Sequence, residues 1–315
     1  MTALPSTVLA GGLAVVGVVA AGPGSAVLAR ASWPERSPAG ALALWQALCL
    51  CAGLSFTGAA MALAAAPLGR SLPAALIAMA RNTFNGSPFR GLSFWRAALL
   101  VLAVIFACTL LAVLIRCFVL ALRRRTAHRE LLDLLTGSAT SDDVRVLDHT
   151  APAAYSLPGW HTRLVLTAGL LRLLTPAQLT AVVAHERAHL TSHHDLLLLP
   201  FQAWAAALGR VPGVYAAQRS VAALAEMQAD DAAARLSGTD TVASALTTVA
   251  LAQVDARAAT SRASELPDVV ATAVVRRVSR LREPHPLPAA RVALVYLSAL
   301  ALLVIPTSLL LFGRG

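Results

Sequence analysis

The residues best equipped for chemistry in this chain lie in one short run, Ala184-His185-Glu186-Arg187-Ala188-His189. On an α-helix, residues four apart share a face, one turn apart. Two imidazoles so placed can share one zinc ion at about 2.0–2.1 Å each. Glu186 follows the first imidazole, and from there its carboxylate can reach a water on the metal without binding the metal itself. That is the mechanical reason why His-Glu-x-x-His serves peptide hydrolysis, with the glutamate as catalytic base. Val182, Val183 and Ala184 make the approach apolar, so the ring pair is expected to begin in a buried helix. Two imidazoles and a carboxylate are costly there without a partner such as a metal. The competing reading is a helix that merely carries two histidines at turn spacing.

A catalytic zinc usually has three protein ligands and one open position. The candidate third ligand is Glu226, in Glu226-Met227-Gln228-Ala229-Asp230. On a helix Glu226 and Asp230 share a face. Glu226 can then bind the metal while Asp230 accepts a hydrogen bond from a ligating histidine and fixes its tautomer. A solvated acidic helix face is the alternative. A rival ligand is Asp195, six residues past His189. That arrangement needs the helix to break soon after His189, normally at a glycine, where this chain has Ser192. In an unbroken helix Asp195 is turned about 240° from His189. His193 and His194 read as a polar helix end. Cys49, Cys51, Cys108 and Cys117 lie in apolar stretches and read as buried free thiols, without paired metal-binding spacing.

The elements that must position these residues can be read around them. Thr175 followed by Pro176 is a cap and a first helical residue, opening a helix that runs through Leu179 and Val183 to His189. Ahead of it, Val144 to Asp148, Ala154 to Leu157 and Arg163 to Thr167 read as short strands, with a turn at Pro158-Gly159. Later helices are expected over Val221 to Leu236, ending near Gly238, and over Val269 to Leu281. The apolar patch Leu196 to Gly209 is short for a membrane span. It reads as a buried or interfacial helix, with a membrane-dipping segment as the alternative.

The rest of the chain is far more apolar than a soluble protein. Of 315 residues, 57% are hydrophobic and 13% charged, against about 25% charged in ordinary soluble domains. Mean hydropathy is +0.68. Uncharged stretches run from the N-terminus to Arg30, between Arg36 and Arg70, between Arg96 and Arg116, and from Arg291 to Gly313. Each is long enough to cross a bilayer as a helix. The first is too long for a signal peptide and lacks a basic start. The expected architecture is mainly α: about four transmembrane helices with an inserted α+β zinc metalloprotease domain. Residues 1–122 form a three-span membrane region, 123–290 the protease domain and 291–315 the last span.

The net charge of +10 comes wholly from arginine, with no lysine. The acids gather between Glu130 and Glu283, while arginines recur at span edges. No basic stripe with an aromatic platform accompanies them, so direct nucleic-acid binding is not expected. Arg123-Arg124-Arg125, directly after the third span, favours a cytoplasmic position. The protease domain then lies inside and both termini outside, although Arg70, Arg81 and Arg90 fall outside against the rule. The Arg-only, Ala- and Leu-rich composition points to a GC-rich bacterial genome and hence a bacterial plasma membrane.

The chain resembles the BlaR/MecR-type antirepressor membrane metallopeptidases, and is more distantly similar to the HtpX and CAAX-prenyl protease group. The resemblance is carried by Ala154-Tyr155-Ser156-Leu157-Pro158-Gly159, Arg163-Leu164-Val165-Leu166-Thr167 and Gly169-Leu170-Leu171. It continues through the Leu179-to-His189 helix and Glu226 to Asp230. It implies a gluzincin-type peptidase with one Zn²⁺ per chain, acting on a protein or peptide substrate such as a transcriptional repressor. It also implies that the strand Arg163 to Thr167 is a sheet edge that can hold substrate by β-addition. Membrane-protein quality control and a non-catalytic membrane sensor or scaffold are the rival functions. Two departures stand out. The chain ends at Gly315, so no penicillin-binding sensor domain is expected, and Asp195 stands one residue later after His189 than in the relatives. Arg277, in Arg277-Val278-Ser279-Arg280-Leu281, either matches a family arginine near the site or lies at the membrane surface.

Overall fold

The computed structural model describes residues 5–69, 71–135, 144–159, 162–208, 212–259 and 266–312. The expected ends at Gly209 and Gly313, and Arg70, lie outside these residues. Among those described, four helices are long and apolar enough to cross a membrane: Ser6–Arg30, Pro38–Ala64, Phe94–Ala127 and Ala289–Leu311.

The first contains α1 (Ser6–Val19) and α2 (Ser25–Arg30), joined by a π-helical turn, Ala20–Gly24, that holds Pro23. A proline inside a helix removes one backbone donor and crowds the preceding turn, and widening that turn relieves the clash. A 3₁₀ turn, Trp33–Arg36, leads to α3 (Pro38–Ala64), which opens on Pro38. Helix α4 (Leu72–Phe84) is capped by the Ser71 hydroxyl, which accepts from the Ala74 amide at 3.3 Å. Helix α5 (Phe94–Leu135) runs well beyond the uncharged stretch that ends at Arg116. It carries the arginine triplet on its extension, arginine being a good helix former. Helix α5 exposes Leu102, Ile105, Leu111 and Ile115, as a helix facing hydrocarbon does.

The small sheet comprises β1 (Val144–Leu147), β2 (Ala154–Leu157) and β3 (Arg163–Thr167), in the order β1-β3-β2. Strand β3 is parallel to β1 and antiparallel to β2. This corrects the expectation that Arg163 to Thr167 is an edge: β3 is the centre, and β1 and β2 flank it among the described residues. The physical reason lies in its two faces. Leu164 and Leu166 are buried toward Leu170 and Val182, and Val165 is buried toward Tyr155 and Leu157. A strand covered on both faces is apolar throughout, and neither that run nor its β-branching distinguishes an edge from a centre.

Helix α6 (Ala168–Leu173) follows β3 directly. Its start is held by Thr167, whose hydroxyl accepts from the Leu170 amide at 3.2 Å and donates to the Ala151 carbonyl at 2.9 Å. Gly169 is obligatory there, since a Cβ would lie 1.9 Å from the Thr150 carbonyl oxygen. Helix α7 (Pro176–Thr191) opens on a capping box: Thr175 Oγ1 accepts from the Gln178 amide, and Gln178 Oε1 accepts from the Thr175 amide at 3.0 Å. Helices α8 (His194–Leu208), α9 (Pro212–Ser237), α10 (Thr239–Ala259), α11 (Leu266–Arg282) and α12 (Ala289–Phe312) complete the chain. Helix α9 begins earlier than the expected Val221 and ends where Gly238 adopts φ +85°.

Helices α7, α9 and α10 meet through Ala181, Ala184, Ala233, Val242 and Ala243. A second core gathers around α3, where Trp45 packs edge-on against Phe201 of α8 at 6.3 Å between ring centroids. Val221, Leu224 and Met227 of α9 join the same core. Gln46 Nε2 donates to the Leu197 carbonyl at 2.7 Å, and farther along, a Cβ on Gly53 would sit 3.9 Å from Trp204. Fifteen residues separate Gly53 from the start of α3, about 22 Å of helix. Helix α8 therefore packs along much of the length of a span-length helix. The turn between α2 and α3 docks at the other end: Arg36 Nε donates to the His285 carbonyl at 2.7 Å, and Arg276 pairs with Glu35 at 3.4 Å.

Candidate metal centre

Helix α7 delivers His185 and His189 to the face that meets α9, and α9 delivers Glu226 and Asp230. The two Nε2 atoms of His185 and His189 lie 3.1 Å apart. Glu226 Oε2 is 3.5 Å from His185 Nε2, and Oε1 is 3.5 Å from His189 Nε2. An ion bound tetrahedrally at about 2.1 Å sets its ligand atoms about 3.4 Å apart. The two imidazole nitrogens are thus spaced much as two ligands of one zinc ion are, and each faces one oxygen of the same carboxylate. Among the described residues His185, His189 and Glu226 form a possible metal site.

Behind them Asp230 is completely buried. Its Oδ1 stands 3.0 Å from His185 Nδ1, a short contact but one too poorly aligned to be a good hydrogen bond. Arg277 grips the same carboxylate with two bonds, Nε to Oδ2 at 2.7 Å and Nη2 to Oδ1 at 2.6 Å. Its Nη1 lies 3.0 Å from Glu226 Oε2. Arg277 therefore belongs to the site and not to the membrane surface, the second of the two places open to it in the sequence.

These contacts set the protonation of the cluster. Burial alone would raise both carboxylates, but His185 and Arg277 outweigh it and hold Glu226 at about 2, while Arg277 and His185 do the same for Asp230, also about 2. Burial would lower His185, but Asp230 and Glu226 outweigh it and raise the imidazole to about 9. For His189 burial prevails over the Glu226 charge, and it falls to about 4. Glu186 is pushed up by burial, opposed by the His185 charge and by side-chain and backbone hydrogen bonding to Ser156 of β2. It faces a cavity of about 490 Å³ that also takes in Tyr155, Ser156, His189 and Glu226. On its other side a narrower pocket of about 180 Å³ is lined by Val182, Val242, Leu246 and Val249.

Of the two flanking histidines, His193 lies as a polar helix end does and His194 does not. His193 is exposed with φ +48°, so α7 does break after His189 without a glycine. The break does not bring Asp195 into the group of His185, His189 and Glu226: in the first turn of α8, Asp195 pairs with Arg125 of α5. His194 is no polar helix end, being 2% exposed. Its Nδ1 is 2.8 Å from His189 Nδ1, and its Nε2 is 3.2 Å from Gln228 Oε1. No local sequence pattern announces this, because it depends on the reversal at His193.

Two imidazoles one helical turn apart, a half-buried glutamate next to the first, and a facing carboxylate on a second helix are the donor set of a metallopeptidase. Residues 121–296, more than half of the chain, match the model of peptidase family M48, and the chain belongs to that family. No curated protein and no solved structure matches the chain.

Proposed function

We propose that the chain is a membrane-embedded zinc endopeptidase of gluzincin type. In this reading His185, His189 and Glu226 hold the metal, Glu186 is the catalytic base, and Asp230 braces His185. The observation that carries it is the convergence of three side chains, two imidazole nitrogens 3.1 Å apart and each 3.5 Å from one oxygen of the Glu226 carboxylate, with the carboxylate of Glu186 beside them.

When bound, zinc acidifies a water molecule and polarises the scissile carbonyl. Glu186 accepts the proton of the attacking water and passes it to the departing amine. Its raised affinity for that proton, a consequence of burial, suits it to both steps. The substrate lies in the cavity shared by Ser156 of β2, Glu186 and Glu226, so that the strand whose Ser156 holds Glu186 borders the scissile bond. The apolar pocket bordered by His185 and Glu186 then receives a side chain next to that bond. Arg277 keeps Asp230 ionised, and Asp230 in turn orients His185.

The protease region, residues 123–290, lies between the third and fourth spans, on the cytoplasmic side by the arginine triplet. With the BlaR/MecR-type resemblance, this favours regulated cleavage of a transcriptional repressor or another cytoplasmic or membrane protein. The test is Glu186→Gln in the full chain. It should retain about one zinc per chain and lose cleavage of a fluorogenic peptide library by at least 10²–10⁴-fold, the usual weight of acid–base catalysis. Undiminished cleavage, or a wild-type chain that takes up no metal, would remove the proposal.

A further inference from the structure

His194 is a buried histidine for which the hydrolytic reading above has no use. It joins two groups from different elements: His189 of α7 at 2.8 Å and Gln228 of α9 at 3.2 Å. His189 turns its other nitrogen, Nε2, toward His185 and Glu226. A neutral imidazole carries one ring hydrogen. If His189 Nε2 offers its lone pair to a cation, its hydrogen must be on Nδ1, and Nδ1 faces His194. His194 then has to present a bare Nδ1 and carry its own hydrogen on Nε2, which faces the Gln228 carbonyl oxygen. Each hydrogen meets one acceptor, and the amide closes the series.

The reverse arrangement is also self-consistent. With the Gln228 amide turned over, its NH₂ donates to His194, and His194 donates to His189. His189 must then hold its hydrogen on Nε2, where a metal would bind. Only one of the two settings is compatible with a ligating His189, and Gln228 Oε1 toward His194 selects it.

We infer that His194, fixed by Gln228, is a positioning residue that sets the tautomer and ring orientation of the metal ligand His189. This rests on the proposed metal centre. A carboxylate, carbonyl or water usually stands in this place, as Asp230 does for His185. A neutral imidazole braces His189 without adding to the charge of Glu186, Glu226 and Asp230, all of which act on Arg277. The reversal at His193 makes the contact possible. Were α7 to continue unbroken, a residue five places on would be turned about 140° from His189.

The experiment compares His194→Leu with His194→Asn in the full chain in detergent. The asparagine carbonyl can accept from His189 and its NH₂ can donate to Gln228; leucine can do neither. Zinc affinity is read by competition with a chromophoric chelator, and ligand geometry by the absorption bands of the cobalt(II)-loaded protein. His194→Leu should weaken zinc binding by about 10–100-fold and alter the cobalt bands, and His194→Asn should restore most of both. Gln228→Leu, read in the same way, stands in if His194→Leu does not fold; it should weaken binding, while Gln228→Glu should not. Zinc affinities within about threefold of wild type for both leucine variants overturn the inference and leave the metal centre standing. So does a His194→Asn protein that melts like wild type without metal yet binds zinc no better than His194→Leu. A wild-type chain that binds no zinc removes both together.

Discussion

Replacing Arg277 by leucine asks whether Asp230 is an ion kept in the interior by its partner. The carboxylate is fully buried, held bidentately by Arg277 at 2.7 and 2.6 Å, with His185 as its other close partner at 3.0 Å. Burial raises Asp230, but Arg277 and His185 outweigh it and bring it from 3.8 to about 2. A depression of that size corresponds to roughly 2 kcal/mol of stability. Because the folded pKa is the lower one, that stability is present above about pH 4 and is lost as the pH falls toward 2. Removing the arginine costs more than this contribution, about 3–5 kcal/mol, because an incompletely paired charge stays behind. At about 2 °C per kcal/mol for a chain of this size, Arg277→Leu should melt roughly 6–10 °C lower at pH 7, measured without metal in detergent. Asp230 in the variant titrates above its unfolded value, so the gap to wild type should narrow as the pH is lowered through that value. Arg277→Leu combined with Asp230→Leu should recover most of the loss. A single variant that melts within about 2 °C of wild type at pH 7, or a gap that widens in acid, would refute the reasoning.

Two further outcomes follow from other parts of the molecule. His185 is raised to about 9 in the metal-free site, and a ligand must shed its proton to bind a metal. Zinc uptake at pH 7 should therefore release about one proton, and affinity should fall about tenfold per unit as the pH drops from 8 to 7. Calorimetry in buffers of different ionisation enthalpy measures the release, and none at all would show a neutral His185. Phe201→Ala empties the contact with Trp45 on α3 and should cost about 3–5 kcal/mol; an unchanged melting temperature would show that α8 gains nothing from that contact.

What the sequence disclosed is what short-range spacing controls. Thr175, Pro176 and Gln178 mark the start of α7 because capping is a local transaction of backbone and side chain. The same-face placement of His185 with His189, and of Glu226 with Asp230, follows from helix geometry once the helices are granted. The three strands and the Pro158-Gly159 turn were legible from branching and punctuation. Long-range relations were not. The centrality of β3 is decided by what covers it. The burial of His194 is decided by a left-handed residue at His193, a conformation that a histidine does not advertise. Helix α10 went unread because its Ala- and Thr-rich run, Thr239–Ala259, shows no strong apolar period. Arg277 sits near Asp230 only because α11 packs beside α9.

Composition, too, had a mechanical side that counting hid. The abundance of alanine reads as coding bias, yet at one interface it is structural. Ala181, Ala184 and Ala188 on α7 and Ala225, Ala229 and Ala233 on α9 are all buried, at spacings of three or four residues that keep them on one side of each helix. Helix axes lie 8–10 Å apart according to the side chains at the contact, and methyl groups allow the near end of that range. Asp230 has the shortest acidic side chain, so it reaches His185 only across a narrow gap. Glu226, one methylene longer and one turn away, spans to both imidazoles. A leucine at Ala184 or Ala229 would wedge the helices apart, and the carboxylate of Glu226 would draw away from the imidazoles with none of the three changed. The small residues beside the motif thus help to set the distance across which the second helix must supply its carboxylates.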